Sequence, residues 1–220
     1  MKRLLVYTAF DIRCWWRNGE QLLLMLVLPA LAVGFAERIS TQLQIPSGVF
    51  VDGAVLVSFF ATAFTGQSIL TAFDRRSNAL LVIGAGPLGR RGFIAARVLA
   101  VMLTCTLQAL ILWVIADLAG VGGPDYGLHA LIALCAVPAF VAAGLLLAGM
   151  LRAEIVLALA NLLFVLGGVF GGAFTNAVLS PLGAVRALQI EGASMLPIGV
   201  LVVWTVVAGF TAQRTFKWVD

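Results

Sequence analysis

Residues 128–151 read LHALIALCAVPAFVAAGLLLAGML. These 24 positions contain no Lys, Arg, Asp or Glu, and His129 is their one strongly polar side chain. As a helix the stretch rises about 36 Å, enough to cross a hydrocarbon layer of about 30 Å. The pattern recurs outward from it. Of the 220 residues, 62% are hydrophobic and 11% are charged, against about 25% charged in soluble domains. A soluble fold would have to cover its surface with polar side chains that this chain lacks. The composition excludes a soluble globular enzyme, a disordered chain and a disulfide scaffold. It predicts an all-α polytopic membrane protein, because helices satisfy their own backbone in lipid.

Comparable runs lie at 21–36, 50–73, 93–118, 155–174 and 197–212. With 128–151 they make six predicted spans, leaving no room for a separate soluble domain, so 1–220 is read as one transmembrane domain. Residues 2–19 precede the spans. There Leu5, Ala9, Ile12 and Trp16 recur at spacings of 4, 3 and 4, while Arg3, Arg13 and Arg17 lie largely elsewhere. An apolar stripe, a basic face and Trp predict an amphipathic helix lying flat in the interface. The basic region and its Trp15 and Trp16 do not suit a signal peptide, so the run from Leu22 to Ala36 is expected to be an uncleaved first span. Glu37 to Val49 reads as a polar loop, 74–92 as a charged loop, and 175–196 as a mixed, less apolar segment.

Basic residues orient the chain. With six spans and the N-terminus inside, Lys2, Arg3, Arg13, Arg17, Arg75, Arg76, Arg90, Arg91, Arg97, Arg152, Arg214 and Lys217 fall on the cytosolic side. Only Arg38 and Arg186 fall outside. Twelve against two is a strong positive-inside asymmetry, and the acidic residues split five and five. The expectation is a multi-pass protein of the plasma membrane with both ends cytosolic.

Several chemistries are missing. The only lysines, Lys2 and Lys217, do not follow glycine, so no standard Walker A loop exists. His129 is the single histidine, which excludes an HExxH zinc site. Cys14, Cys105 and Cys135 are isolated and read as apolar packing residues. Gly84, Gly86 and Gly89 spell GxGxxG, but Pro87 interrupts them and no strand precedes them. No catalytic residue, metal site or cofactor site is expected in this chain, nor any nucleic-acid partner.

The most informative loop runs Asp74-Arg75-Arg76-Ser77-Asn78-Ala79-Leu80-Leu81-Val82-Ile83, then Gly84-Ala85-Gly86-Pro87-Leu88-Gly89-Arg90-Arg91. Ser77 is placed to cap a short helix, Ala79 to Ile83 give it an apolar surface, and Gly84 or Gly86 stops it. Pro87 stiffens the exit. The spacing predicts a short helix at the inner face between two spans.

This loop resembles the one between the second and third helices of permease subunits in the type-2 ABC transporter family. Asp74-Arg75-Arg76-Ser77-Asn78-Ala79-Leu80, Pro87-Leu88-Gly89-Arg90 and Arg97-Val98-Leu99 carry the resemblance in order. Asn78 and Leu81 depart from it, standing where many members have Gly and Glu. The layout is similar over nearly the whole chain, and the resemblance makes 175–196 an outer re-entrant segment.

The resemblance implies an exporter half without catalysis of its own. A second permease, identical or related, would pair with it. Separate ATP-binding-cassette subunits would carry ATP and magnesium. Ser77, Asn78, Ala79, Leu80, Leu81, Val82 and Ile83 would form the coupling helix with Pro87 and Arg90, and Arg13 and Arg17 would also face the ATPase. The substrate would be amphiphilic: a drug, lipid or peptide.

Scattered polarity marks the spans: Thr62, Thr65, Gln67, Ser68, Thr71, Thr104, Thr106, Gln108 and Asn161. Such groups either pair across helices or line a passage. Phe60, Phe64, Gln67 and Thr71 follow helical spacing and, with Asn161, are candidates for a lateral substrate path among membrane lipids. Gly167, Gly168, Gly171 and Gly172 form two overlapping small-xxx-small pairs and predict close helix packing within the chain or in a dimer. The alternative function is a stand-alone six-helix secondary transporter or channel. It calls for an inverted repeat or intramembrane charges, and neither is clear.

Overall fold

The computed structural model describes residues 2–44, 46–121, 126–169 and 179–215. Among them every regular element is a helix. Helix α1 is Lys2–Trp16 and α2 is Gly19–Leu22. A π-helical turn, Leu23–Val27, leads into α3, Leu28–Gly34, and the chain then bends by 72° into α4, Ala36–Leu43. Helix α5, Ser47–Phe60, a second π segment, Ala61–Gly66, and α6, Gln67–Arg76, form one long rod. The rest are α7 (Ala79–Ala85), α8 (Gly89–Leu118), α9 (Tyr126–Met150), α10 (Ala153–Val169), α11 (Pro181–Glu191) and α12 (Met195–Thr215).

Among the described residues, four helical rods are long and apolar enough to cross a membrane: Ser47–Arg76, Gly92–Leu118, Tyr126–Met150 and Met195–Thr215. The bent pair of α3 with its preceding π turn and α4 makes a fifth if it counts as one crossing. Helix α10 is apolar but shorter, and the predicted span 155–174 runs past its last described residue.

One boundary differs from the sequence reading. The stretch expected as a loop from Glu37 begins as helix. Ser40 and Thr41 donate their hydroxyls to the Glu37 carbonyl at 3.0 and 2.7 Å, which lets polar residues sit in a helix without exposing new donors. Gln44, at φ 55, ends it in the left-handed region. The mixed segment contains α11, begun by Ser180, whose Oγ accepts from the Gly183 N–H at 3.0 Å, with Pro181 in the first turn.

Helix α9 is apolar on all sides and packs along α12, α6 and α8. Its close approach to α6 requires Gly144. A Cβ there would lie 2.9 Å from Ser68 Oγ and 3.0 Å from the Phe64 carbonyl. The two π turns face a common polar knot. The Met25 carbonyl accepts from Ser58 Oγ at 2.7 Å and Gln108 Nε2 at 3.2 Å, and the same amide group reaches Thr62 Oγ1 at 2.8 Å. Wide turns disturb the regular ladder, and side chains from two other helical rods take up the carbonyl.

Contacts define two ends of the bundle. At one end α1 packs on the start of α8, near the ends of α6 and α9. At the other, His129 Nε2 lies 3.2 Å from Asp52 Oδ1, and Gln189 of α11 donates to the Asp52 carbonyl at 3.1 Å.

Candidate functional site

The α1 end carries the densest charge. Arg97 of α8 is almost wholly buried. Its Nε lies 3.3 Å from Asp11 Oδ2 of α1, and its Nη2 pairs with Asp74 Oδ2 at the end of α6. The guanidinium also sits 5.0 Å over the Phe93 ring, and Tyr7 meets the same ring edge-on at 5.8 Å. One cation serves two carboxylates. Burial pushes the Asp11 carboxyl up to about 6, with Arg97 opposing that rise and Asp74 adding to it.

Neighbouring arginines fasten the same end. Arg75 donates to the carbonyls of Ala148, at 2.6 Å, and Leu151, filling acceptors left open where α9 stops. Arg76 pairs at the surface with Glu154 of α10. Five helices are therefore tied together around the point where α7 leaves α6.

Helix α7 begins differently from the sequence expectation. Ser77 does not cap it: its Oγ donates to the Asp74 carbonyl at 3.1 Å, finishing α6. Asn78 occupies the cap position at φ 60 with no side-chain capping bond. Asn tolerates this left-handed geometry better than most residues. Gly86 ends the helix, its N–H bonded to the Ile83 carbonyl at 3.1 Å. Leu80 is fully buried, Ala79 and Ile83 are half-buried, and Leu81 and Val82 are exposed by 40% and 75%. Pro87, Arg13 and Arg17 are also exposed at this end. The side chain of Arg90 lies outside the described residues. On α1 the buried stripe is Thr8, Asp11 and Trp15. Leu5 and Ala9 of the predicted apolar stripe face outward, and Ile12 and Trp16 are half-buried.

Above this end, a groove runs along the first π turn and α3, the α5–α6 rod, and α10. Its lower part is a cavity of about 380 Å³ bordered by Trp15, Asn18, Thr62, Thr65, Asn161 and Phe164, among others. Trp15 Nε1 and Thr65 Oγ1 are buried without hydrogen-bond partners among the described residues. The upper part is a cavity of about 520 Å³, sharing Leu24 and Phe164 with the lower one and otherwise apolar apart from Arg186.

The residues predicted for a substrate path divide. Asn161 borders the lower cavity. Phe60 stacks on Phe64 at 5.0 Å and meets Phe140 of α9 edge-on at 5.1 Å. Gln67 and Thr71 are fully buried. These four belong to the packed interior rather than to the cavity wall, because the rod turns that face toward α9. Gly167 is half-buried and packs closely within the chain: a Cβ there would come within 3.2 Å of both Phe60 and Leu182. Gly171 and Gly172, and the surroundings of Gly168, lie outside the described residues.

The Asp11–Arg97–Asp74 cluster was not anticipated. Its signal was present in Asp11, flanked at helical spacing by Thr8 and Trp15, on a helix expected to show lipid an apolar face. Comparison with known protein families, characterised proteins and solved structures yields no match to this chain.

Proposed function

We propose that this chain is the transmembrane permease subunit of an ATP-binding-cassette exporter. In this reading it crosses the plasma membrane six times, with the α1 end cytosolic. A separate ATPase docks on α7, and a second permease completes the complex. The carrying observation is the construction of α7. It is a seven-residue helix anchored by buried Leu80 and displaying apolar Leu81 and Val82, at an end of the bundle where Arg13 and Arg17 of α1 are also exposed. A surface of that kind fits a groove on a partner protein better than it fits water.

The rest of the end supports transmission of movement. Force on α7 reaches α6 directly and α1, α8, α9 and α10 through buried or charge-paired arginines. Coupling needs such a contiguous linkage together with two states of different affinity. The groove supplies a lateral path with apolar walls and a few unsatisfied polar atoms, suited to an amphiphile.

The test is to extract the tagged chain gently from its native membrane, identify what co-purifies and assay ATP hydrolysis. A stoichiometric Walker A protein with vanadate-sensitive activity supports the exporter. The chain alone, across several mild detergents and without ATPase activity, overturns it.

A further inference from the structure

The upper cavity has a composition of its own. Leu24, Leu28, Val49, Phe50 and Val57 contribute apolar wall, and Gly53 leaves it open, since nothing lies within 4 Å of where its Cβ would be. Among the described residues, the one charged residue on this wall is Arg186 of α11. Arg186 is half-buried and makes no ion pair or hydrogen bond among the described residues. Asp52, on the α5 stretch next to this wall, turns its carboxylate to His129 instead. One turn along α11, Gln189 already holds the helix to α5 through the Asp52 carbonyl. Arg186 is therefore not needed to dock α11.

An unpaired guanidinium at a membrane boundary is costly, and phosphate relieves it with two parallel, charge-assisted hydrogen bonds. Apolar walls leading away from that cation toward the middle of the bundle match an acyl chain. We propose that the upper cavity binds an anionic phospholipid of the surrounding bilayer, its phosphate on Arg186 and one acyl chain along the α3–α5 wall. The inference goes beyond the exporter reading and requires no ATPase. It needs only that the chain sits in a bilayer.

The experiment uses the full chain reconstituted in vesicles of phosphatidylcholine containing a trace of photoactivatable lipid. The probe carries a diazirine in its acyl chain and either a phosphatidylglycerol or a phosphatidylcholine headgroup. Cross-links are mapped by mass spectrometry. The expected result is at least about fivefold more labelling of residues 24–32 and 49–57 by the anionic probe. Arg186→Gln should bring the anionic probe down to the level of the zwitterionic one, while Arg186→Lys retains most of the difference. Gly53→Leu, which fills open space, should reduce labelling by both probes. Equal labelling by the two probes in the wild type, or an anionic preference that survives Arg186→Gln, overturns the proposal. So does a high-yield chain-to-chain disulfide from Gly53→Cys in the membrane, which would assign the cavity to a second copy. These outcomes do not depend on ATPase co-purification, so either proposal can fail without the other.

Discussion

Arg97 sits between Asp11 and Asp74 in a pocket that water hardly reaches, so the cluster carries one more negative than positive charge when both acids ionise. Burial holds the Asp11 carboxyl at about 6, above its ordinary 3.8. The proton then binds more tightly in the folded protein. The stability this contributes is complete below about pH 4 and is lost as pH rises through about 6. Thermal unfolding of the detergent-purified chain should therefore show a stability loss of up to about 1.4 kcal/mol per pH unit across that window. Asp11→Asn should flatten it; an unchanged slope in the variant would remove Asp11 as its source. Arg97→Leu has a different consequence, because it strands two acids without their cation. A loss of about 3–5 kcal/mol is expected at neutral pH, with a partial recovery in Arg97→Leu/Asp11→Asn. An Arg97→Leu protein as stable as the wild type would show that the cation is not holding α1 to the bundle.

Element by element, legibility followed chemistry that acts locally. The apolar runs at 50–73, 93–118 and 197–212 fall within long helices, and 128–151 does so up to Met150, since their length and lack of charge leave one way to satisfy the backbone. Helix α7 was legible from its Gly and Pro punctuation, but the roles of its residues were not. Ser77 and Asn78 divide the turn in a way that depends on where α6 happens to stop. The side of α7 that faces the bundle depends on long-range packing, which is why Leu80 and Leu81, adjacent in sequence, differ so sharply in exposure. The same holds for the Phe60–Thr71 stripe, correctly spaced but turned inward against α9. From this split follows a paired test of docking. Leu81→Asp/Val82→Asp should leave thermal stability within about 0.5 kcal/mol and lower ATPase association at least tenfold, measured by co-purification yield. Leu80→Asp should instead reduce folded protein outright, because it buries an unpaired charge. Normal ATPase association in a well-folded Leu81→Asp/Val82→Asp protein would sink the docking assignment.

At the scale of the whole molecule, the two ends are chemically opposite. One gathers Arg75, Arg76 and Arg97, with Arg13 and Arg17 exposed nearby. The other is held by the His129–Asp52 contact and the Gln189 bond to the α5 backbone. Positive charge is retained on the cytosolic side during insertion, so this asymmetry predicts the orientation. Helix length does not by itself decide the number of crossings, because the first apolar helix pair is bent by 72° and α10 is short. Both questions yield to single cysteines introduced into a chain whose Cys14, Cys105 and Cys135 are replaced by Ala. Thr41, Ser77, Arg152 and Ala193 are exposed positions between the predicted spans. With a membrane-impermeant maleimide on intact cells, Thr41→Cys and Ala193→Cys should react, while Ser77→Cys and Arg152→Cys should react only after permeabilisation. Labelling of Ser77→Cys in intact cells would invert the orientation and separate α7 from any cytosolic ATPase. If Arg152→Cys and Ala193→Cys reacted from the same side, α10 would not be a crossing. The groove would then lose its far wall as a transmembrane surface, and a lateral path between the first, second and fifth spans could not exist.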